Sequence, residues 1–188
     1  MRTAPVAVGV DYDGSQLRSG WLRDEMALEP DAEGAIGAFI GGCGVKPEFV
    51  VDLDELESGE PIRAASMLHF IAEFPDRDLE KTVYRQRLLA AIVRDELGGR
   101  APGRTFRRRG DDIYENGSKV TISIATLSPA SSLLHFAVNV DPTGAPVAAS
   151  GLDDFGIDPV DFAREILKLF AEEMSSSRAA TGKAREVG

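Results

Sequence analysis

The stretch Arg109-Gly110-Asp111-Asp112-Ile113-Tyr114-Glu115-Asn116-Gly117-Ser118-Lys119-Val120 decides the fold. Asn116-Gly117 lies between two runs that are typical of β-strands. Both central residues of a type I′ turn need a positive φ, which Asn and Gly tolerate better than other residues. The sequence therefore predicts a β-hairpin closed by Glu115-Asn116-Gly117-Ser118, with Lys119 directly after the turn.

Two segments beyond the turn alternate between apolar and polar residues. The apolar positions are Val120, Ile122 and Ile124 in the first segment and Leu134, Phe136, Val138 and Val140 in the second. Successive side chains of a strand point to opposite faces, so the apolar sets are expected to share the core and the polar sets the opposite face. The polar surface is then predicted to carry Lys119, Thr121, Ser123, His135 and Asn139.

Local patterns elsewhere predict three more strands and three helices. The strands are predicted over residues 5–10, 35–40 and 48–53, and the helices over 64–74, 79–97 and 159–174. Asp78 and Asp158 are suitable N-caps, whereas Pro75 and Gly98-Gly99 are expected to end the first two helices. The glycine-rich run Gly41-Gly42-Cys43-Gly44 is interpreted as a turn.

The composition excludes several classes of protein. The chain has 188 residues, a single cysteine and a formal net charge of −10. It has no apolar run near the ~20 residues that cross a bilayer, and its acidity argues against general nucleic-acid binding. These features predict a cytoplasmic protein with one domain over residues 1–174 and a flexible tail over 175–188. A homodimer is compatible with them.

Lys119 is the first candidate catalytic residue, because a positioned ammonium stabilises negative charge that develops in a transition state. The alternative interpretation is an exposed hairpin lysine. Asp112, with its neighbour Asp111, is suited to a Mg²⁺ ion or a ribose hydroxyl. Arg108 and Arg109 form a local basic patch suited to the phosphates of a nucleotide, or else are solvated charges on a strand.

His69 and Glu73 are four residues apart on a predicted helix and would share a face, which is compatible with a metal site or a proton relay. A metal site would also need His135, so a metal-dependent hydrolase is one alternative function. The more common interpretation is a histidine that is hydrogen-bonded in the core.

The loop after the first strand has the polar side chains of a ligand-binding turn. Its candidate ligand-binding residues are Ser15, Gln16 and Arg18. Cys43 has no base nearby in the sequence, which argues against a nucleophilic role.

The central stretch resembles biotin- and lipoate-protein ligases, in which an Asn-Asp-Ile/Leu-Tyr hairpin leads to the catalytic lysine. Lys119 takes the place of that lysine, and the strand ending Phe136-Ala137-Val138-Asn139-Val140 is similar to the Gly-Ile-Asn-Val strand of those enzymes. Over its whole length the chain resembles an uncharacterised prokaryotic family. The shared runs are Asp13 to Arg18, Met67 to Ile71, Arg85 to Leu89, Gly110 to Asp112 and Ser123 to Thr126.

The resemblance implies an α+β fold with a mixed, largely antiparallel sheet flanked by helices, as in biotin/lipoate ligases and class II aminoacyl-tRNA synthetases. It implies binding of a nucleotide or of a small molecule with a carboxylate, with ATP and Mg²⁺ as cofactors if an acyl-adenylate is formed. Two features depart from the ligases: no glycine-rich adenylate loop lies between residues 14 and 60, and Ile122 stands where they usually have glycine. The alternative is therefore a non-catalytic ligand-binding or partner-binding relative.

Overall fold

The computed structural model describes residues 1–187 and contains nine strands and five α-helices. The strands are β1 (Arg2–Thr3), β2 (Ala7–Val8), β3 (Ala35–Gly44), β4 (Arg63–Phe74), β5 (Phe106–Arg109), β6 (Asp112–Glu115), β7 (Ser118–Lys119), β8 (Thr121–Leu127) and β9 (Ser132–Asp141). The α-helices are α1 (Trp21–Met26), α2 (Leu53–Ser58), α3 (Leu79–Arg100), α4 (Leu152–Phe155) and α5 (Pro159–Thr181), and a short 3₁₀ helix covers Pro47–Phe49.

The main sheet has six strands in the order β1-β3-β4-β9-β8, with β2 also paired to β3. The pairs among β3, β4, β9 and β8 are antiparallel, and only the short β1 and β2 run parallel to β3. This mixed, largely antiparallel sheet with flanking helices confirms the predicted α+β class. Within residues 1–187, no helix has the length and apolar character needed to cross a membrane.

The predicted hairpin is confirmed. Strand β6 pairs with β7, and the turn residues Asn116 and Gly117 have φ values of 48° and 89°. Positive φ at both positions is what a type I′ turn requires. Together with β5, the hairpin forms a separate three-stranded sheet beside the main one.

The two long helices begin where the sequence predicts and end later. The Asp78 side chain accepts a hydrogen bond from Lys81 N, and the Asp158 side chain accepts one from Asp161 N. Helix α3 continues through the two glycines to Arg100, because a glycine lowers helix stability without blocking the helix.

The first part of the tail predicted over residues 175–188 is helical, because helix α5 continues to Thr181. The Ser175 hydroxyl donates to Glu33 Oε2 at 2.7 Å, and Arg178 lies against the same carboxylate. These contacts hold the added turns of the helix. The last residue of the predicted tail, Gly188, lies outside the described residues.

The segment predicted as a helix over residues 64–74 is strand β4 instead. It pairs with β3 on one side and β9 on the other, and its last eight residues are all buried. A strand that is covered on both faces loses its polar alternation, so its composition cannot be told from that of a buried helix.

Three predictions near the N-terminus also need correction. The run 41–44 is part of β3 and not a turn; Gly41 has no room for a Cβ, which would lie 2.0 Å from Val10 O. The strand predicted over 48–53 is absent, because a 3₁₀ helix and the start of α2 occupy that stretch. The first predicted strand is reduced to Ala7–Val8.

The face of the main sheet that packs on α3 and α5 forms the larger apolar core. Its fully buried aromatic side chains are Phe70, Phe74, Phe136, Phe162 and Phe170. The opposite face carries a second cluster that includes Tyr12, Trp21, Phe39 and Met67.

The predicted sharing of faces is wrong for strand β8. Thr121 pairs with Val138 and Ser123 with Phe136, so both polar residues lie on the helix side, whereas Ile124 pairs with His135 on the opposite side. The alternation predicted from Lys119 onward is interrupted because β7 and β8 belong to different sheets. Between them lies Val120, whose N–H donates to Ile113 O and whose carbonyl accepts from Asn139 N.

Candidate functional site

A cavity of about 340 Å³ lies on the face of the main sheet that is opposite to α3 and α5. Strands β4, β8 and β9 contribute Met67, Ile122 and His135 to its lining. The small sheet contributes Asp112 and Lys119. Two connecting segments, residues 45–62 and 145–149, complete the walls.

Lys119 lies in the wall of this cavity and not in bulk solvent. Its side chain is 27% exposed, and Nζ is 3.1 Å from Asp112 Oδ1. The Tyr114 hydroxyl donates to the other oxygen of Asp112 at 3.2 Å. The Asp112 carboxylate therefore orients the ammonium, which still borders the cavity.

The backbone of Lys119 is held from two sides. Its N–H donates to Ala148 O at 2.8 Å, and its carbonyl accepts from Ser150 N at 3.1 Å. Asn139 Nδ2 donates to the same carbonyl at 3.1 Å and to Ser150 O at 3.3 Å. Asn139, which was predicted to lie on the polar surface of the sheet, lines the cavity. Its side-chain amide positions strand β7, which carries Lys119.

A stack of three rings lies beside the cavity. The Tyr12 ring lies 3.9 Å from the His135 ring and 5.1 Å from the His69 ring, measured between centroids. His69 Nδ1 is 3.1 Å from His135 Nε2, so the two imidazoles share one hydrogen bond. Tyr12 and His135 line the cavity.

Burial keeps all three rings neutral. It lowers the pKa of His69 to about 3, with the Gly41 backbone and Asp11 acting weakly in the opposite direction. The same burial, and next the neighbouring His69, lowers the pKa of His135 well below its usual value. Burial also raises the pKa of the Tyr12 phenol, since removal from water disfavours the charged form of each group.

The predicted acidic pair, Asp111-Asp112, lines the cavity with both members. Asp111 precedes β6, so the strand rule that separates neighbouring side chains does not apply to it. Its Oδ2 accepts from Gln86 Nε2 at 2.9 Å and from Ser123 Oγ at 2.8 Å. Ser123 therefore reaches the cavity edge although its strand position lies on the helix side.

The other predicted ligand-binding residues lie outside the cavity lining. Arg108 and Arg109 are exposed on β5; the first donates to Gly110 O, and the second lies over the Tyr114 ring at 5.7 Å. Thr121 is fully buried, and its hydroxyl accepts from Ile113 N at 2.9 Å.

In the loop after the predicted first strand, the polar side chains form hydrogen bonds with neighbouring residues of the chain. Ser15 Oγ donates to Asp13 at 2.6 Å, Gln16 Nε2 donates to Asp11 O at 3.0 Å, and Arg18 donates to Asp24 at 2.8 Å. None of Ser15, Gln16 and Arg18 lines the cavity.

His69 and Glu73 share a face on β4, as the four-residue spacing allows in a strand as well as in a helix. Glu73 accepts from Ser19 Oγ at 2.6 Å, from Gly20 N at 2.9 Å and from Ser131 Oγ at 2.6 Å. In the described part of the chain, no group of three or more His, Cys, Asp or Glu residues could hold a metal ion. The Cys43 thiol is buried, which raises its pKa to about 12 and disfavours the thiolate.

Much of the lining was not identified from the sequence. The apolar part includes Phe49, Val51, Ile62, Pro146 and Val147. These residues come from two connecting segments without a motif; the only signals were Pro61 and Pro146, which mark loops. Tyr12 had no signal, because its position depends on the pairing of the N-terminal chain with β3.

The charged residues of the lining are mainly acidic. Its carboxylates are Asp52, Asp54, Glu55, Glu60, Asp111 and Asp112, and its cations are Lys119 and Arg63. Three of the carboxylates are engaged within the protein, since Asp52 caps α2, Asp111 accepts from Gln86 and Ser123, and Asp112 pairs with Lys119.

Solved structures share this architecture. A structure described as a protein of unknown function from Pyrococcus horikoshi has a TM-score of 0.90 and 35% identity, covering 98% of this chain and all of that chain. A biotin protein ligase from Aquifex aeolicus, in complex with biotin and ATP, has a TM-score of 0.58 and 14% identity, covering 91% of this chain and 70% of the ligase. A putative lipoate protein ligase from T. acidophilum has a TM-score of 0.55 and 13% identity, covering 93% of this chain and 86% of that ligase.

At these low identities, the two ligases show that the fold is of the biotin/lipoate-ligase type, and they show nothing about activity. A family model described as "Domain of unknown function (DUF366)" matches residues 1–185. The predicted resemblance to an uncharacterised family with a ligase-like fold is therefore confirmed. The chain belongs to the DUF366 family.

Proposed function

We propose that this protein binds a small molecule with a carboxylate group in the cavity beside Lys119. The observation that carries the proposal is the position of the Lys119 ammonium, at the wall of a cavity of about 340 Å³. Small-molecule sites are typically concave, mostly apolar and supplied with a few polar groups that fix orientation. The cavity beside Lys119 has all three features.

The contacts of Lys119 suit it to an anionic partner. Two backbone hydrogen bonds and one from the Asn139 side chain hold the backbone of Lys119, and Asp112 contacts the ammonium at 3.1 Å. An ammonium has three N–H donors, so a ligand carboxylate can bind while the Asp112 contact is kept. The hydrogen bond between the Lys119 ammonium and a ligand carboxylate is charge-assisted. It is stronger because the lysine side chain is largely shielded from water.

The charges of the lining disfavour a free nucleotide more than they disfavour a singly charged acid. Lys119 and Arg63 are the basic residues there, against six carboxylates. A triphosphate would need Mg²⁺ to offset this repulsion, and the carboxylate oxygens are suitable ligands for that ion. Arg108 and Arg109, the predicted phosphate contacts, lie elsewhere.

Formation of an acyl-adenylate is the proposed chemistry, with ATP and Mg²⁺ as cofactors. In that step the acid's carboxylate attacks the α-phosphorus, the bond to the β-phosphate oxygen breaks, and pyrophosphate leaves. Lys119 would stabilise the charge that develops between the carboxylate and the α-phosphate. The alternative is a protein that binds the acid without adenylating it. A metal-dependent hydrolase is not proposed, because Glu73 is occupied by Ser19, Gly20 and Ser131.

Thermal unfolding with straight-chain acids of four to eight carbons, with and without ATP-Mg²⁺, tests the proposal. A ligand at 100 times its Kd stabilises the native state by about 2.7 kcal/mol, which raises Tm. We expect Lys119→Met to lose this shift, since methionine keeps the unbranched stem and removes the charge. Lys168→Met is the matched control, because Lys168 is an exposed lysine on α5 that pairs with Glu165.

The same shift in Lys119→Met and in the unmodified protein would exclude Lys119 from binding. ATP–pyrophosphate exchange then separates the two versions of the proposal. Exchange that depends on the acid and is lost in Lys119→Met supports adenylation, whereas binding without exchange supports the non-catalytic version.

A further inference from the structure

Helix α2 carries its leucines on the side that faces solvent. Leu53 and Leu56 are 78% and 50% exposed, and no residue of the helix is buried. Residues three apart on a helix share a face, so the two leucines form one apolar stripe. Asp54 and Glu55 line the cavity from the opposite side of the helix. A surface helix normally turns its apolar stripe inward, so this one is arranged in the reverse sense.

Exposed apolar side chains are concentrated in this part of the chain. Phe49 and Val51, which precede the helix, are 36% and 44% exposed. With the two leucines they make up four of the nine large apolar side chains that are exposed within residues 1–187. Clustered apolar exposure is typical of an interaction surface.

The segment around the leucines is acidic throughout. Residues 47–62 contain six carboxylates and no lysine or arginine. The two cations at its borders have other contacts, since Lys46 pairs with Asp13 and Arg63 donates to Gly144 O. A partner therefore needs apolar groups to cover the leucines and positive charges to meet the carboxylates.

We propose that the α2 leucine face, formed by Leu53 and Leu56, is a docking site for a basic amphipathic helix of a partner protein. Such a helix presents apolar anchors at intervals of three and four residues, which match leucines one turn apart. Because α2 also forms a wall of the cavity, the bound partner holds that wall in place. Docking at this face requires no acid at Lys119.

Charge argues against the other occupants of an apolar face. Pairing of the leucine face with the same face of a second copy would bring six carboxylates against six, in a chain with a net charge of −10. Anionic lipid surfaces and nucleic acids carry the same sign of charge and are repelled. A cationic protein surface complements both the leucines and the carboxylates.

The probe for the test is a synthetic helix of leucine and lysine, about five turns long, with all leucines on one face. A first control peptide has the same composition with the leucines distributed around the helix, and a second has glutamate in place of lysine. Fluorescence anisotropy of the labelled peptides measures Kd. We expect the probe to bind about tenfold tighter than the distributed peptide and the glutamate peptide not to bind. Equal binding of the first two peptides, or binding of none, overturns the inference.

The double variant Leu53→Ser/Leu56→Ser tests the apolar contact. Both side chains are exposed, so the fold is kept and only the docking surface is lost. We expect Kd for the probe to rise about tenfold. Leu79→Ser/Tyr84→Ser is the matched control, because it removes two exposed apolar side chains from α3 and should leave Kd unchanged. An unchanged Kd in the α2 variant overturns the inference.

The double variant Glu55→Gln/Glu57→Gln tests the charge contact. We expect Kd for the probe to rise about fivefold at low salt and less at high salt, because salt screens charges near the surface. Glu172→Gln/Glu173→Gln on α5 changes the net charge by the same amount and should keep the original Kd. Equal changes in the two variants would show attraction to the whole acidic chain and would overturn a specific site.

Two further measurements separate the occupants. A dimer in sedimentation that dissociates in Leu53→Ser/Leu56→Ser would show that a second copy covers the leucines. Binding to phosphatidylcholine vesicles that is lost in this variant would show that lipid covers them. Either result overturns the inference, whereas a monomer that ignores the vesicles supports it. These measurements use no acid, so their failure leaves the proposed function intact, and failure of acid binding leaves the docking site intact.

Discussion

Strand β9 buries both of its faces, but the two faces contact different chemistry. Leu134, Phe136 and Val138 pack into the apolar core beneath α3 and α5. His135 and Asn139 are equally buried on the opposite face, where they meet other polar groups and a cavity. The difference shows that burial alone does not identify the core: one face supports stability, and the other holds polar groups in place at a cost in stability.

The largest expected effect concerns the apolar face. Phe136→Ala removes a fully buried ring from the centre of the sheet. Such truncations cost about 3–5 kcal/mol because apolar contacts are lost and a cavity remains. Urea unfolding should show this as a lower midpoint with an unchanged slope.

Leu53→Ala is the control, since Leu53 is an apolar residue that is 78% exposed. Its unfolding free energy is expected to stay within about 0.5 kcal/mol of the unmodified protein. Similar losses in both variants would contradict the assignment of the core to the helix side.

The next effect concerns pH and belongs to the polar face. Burial lowers the pKa of His69 to about 3 and that of His135 well below its usual value. The unfolded state therefore binds protons first as the pH falls through about 6.5, so stability is present above that pH and is lost below it. Between pH 6 and pH 5 the expected loss is at most about 1.4 kcal/mol for each histidine.

Carboxylates affect the stability in a lower pH range than the two histidines, so the two effects can be measured separately. Arg85 lowers the pKa of Asp76, and Lys46 lowers that of Asp13, so their stabilisation is lost only below about pH 4. Urea unfolding at pH 7, 6 and 5 measures the histidine effect. The double variant His69→Phe/His135→Phe should lose the slope, and a flat profile in the unmodified protein would contradict neutral burial.

The smallest effect concerns the turn that positions Lys119. Gly117 has a φ of 89° and open space around it, so Gly117→Ala meets conformational strain without a clash. We expect a loss of about 1–2 kcal/mol in the free energy of unfolding. If the turn aims Lys119, the Tm shift given by a bound acid should also decrease.

Gly103→Ala is the matched control for this variant. Gly103 has a φ of 90° and equally open surroundings, but it follows α3 and does not line the cavity. It should lose similar stability and keep the full ligand shift. Equal ligand-induced Tm shifts in the two variants would show that the turn does not position Lys119.

Features with short-range causes could be predicted from the sequence. The hairpin at Asn116-Gly117 and the helix starts at Asp78 and Asp158 depend on residues within one turn of each other. The position of Lys119 directly after the turn also followed, whereas its contact with Asp112 was not predicted. The placement of the arginines did not follow, because Arg108 and Arg109 are exposed on β5 and lie outside the cavity lining.

Longer-range features were mispredicted for a common reason. The helix predicted over residues 64–74 is a central strand, and only its pairing with β3 and β9 decides this. The faces of Thr121 and Ser123 depend on where one sheet ends and the next begins. A one-residue change of register exchanges the two faces of a strand, and no local pattern reports it.

The sequence by itself determined the hairpin, the capped helices and the presence of a lysine after the turn, because each depends on backbone preferences of neighbouring residues. The tertiary structure alone decided the cavity, the stack of Tyr12 on His135 and the bond between His69 and His135. These arise where strands distant in sequence pair with one another, and the chemistry of such a site depends on which side chains are then excluded from water together.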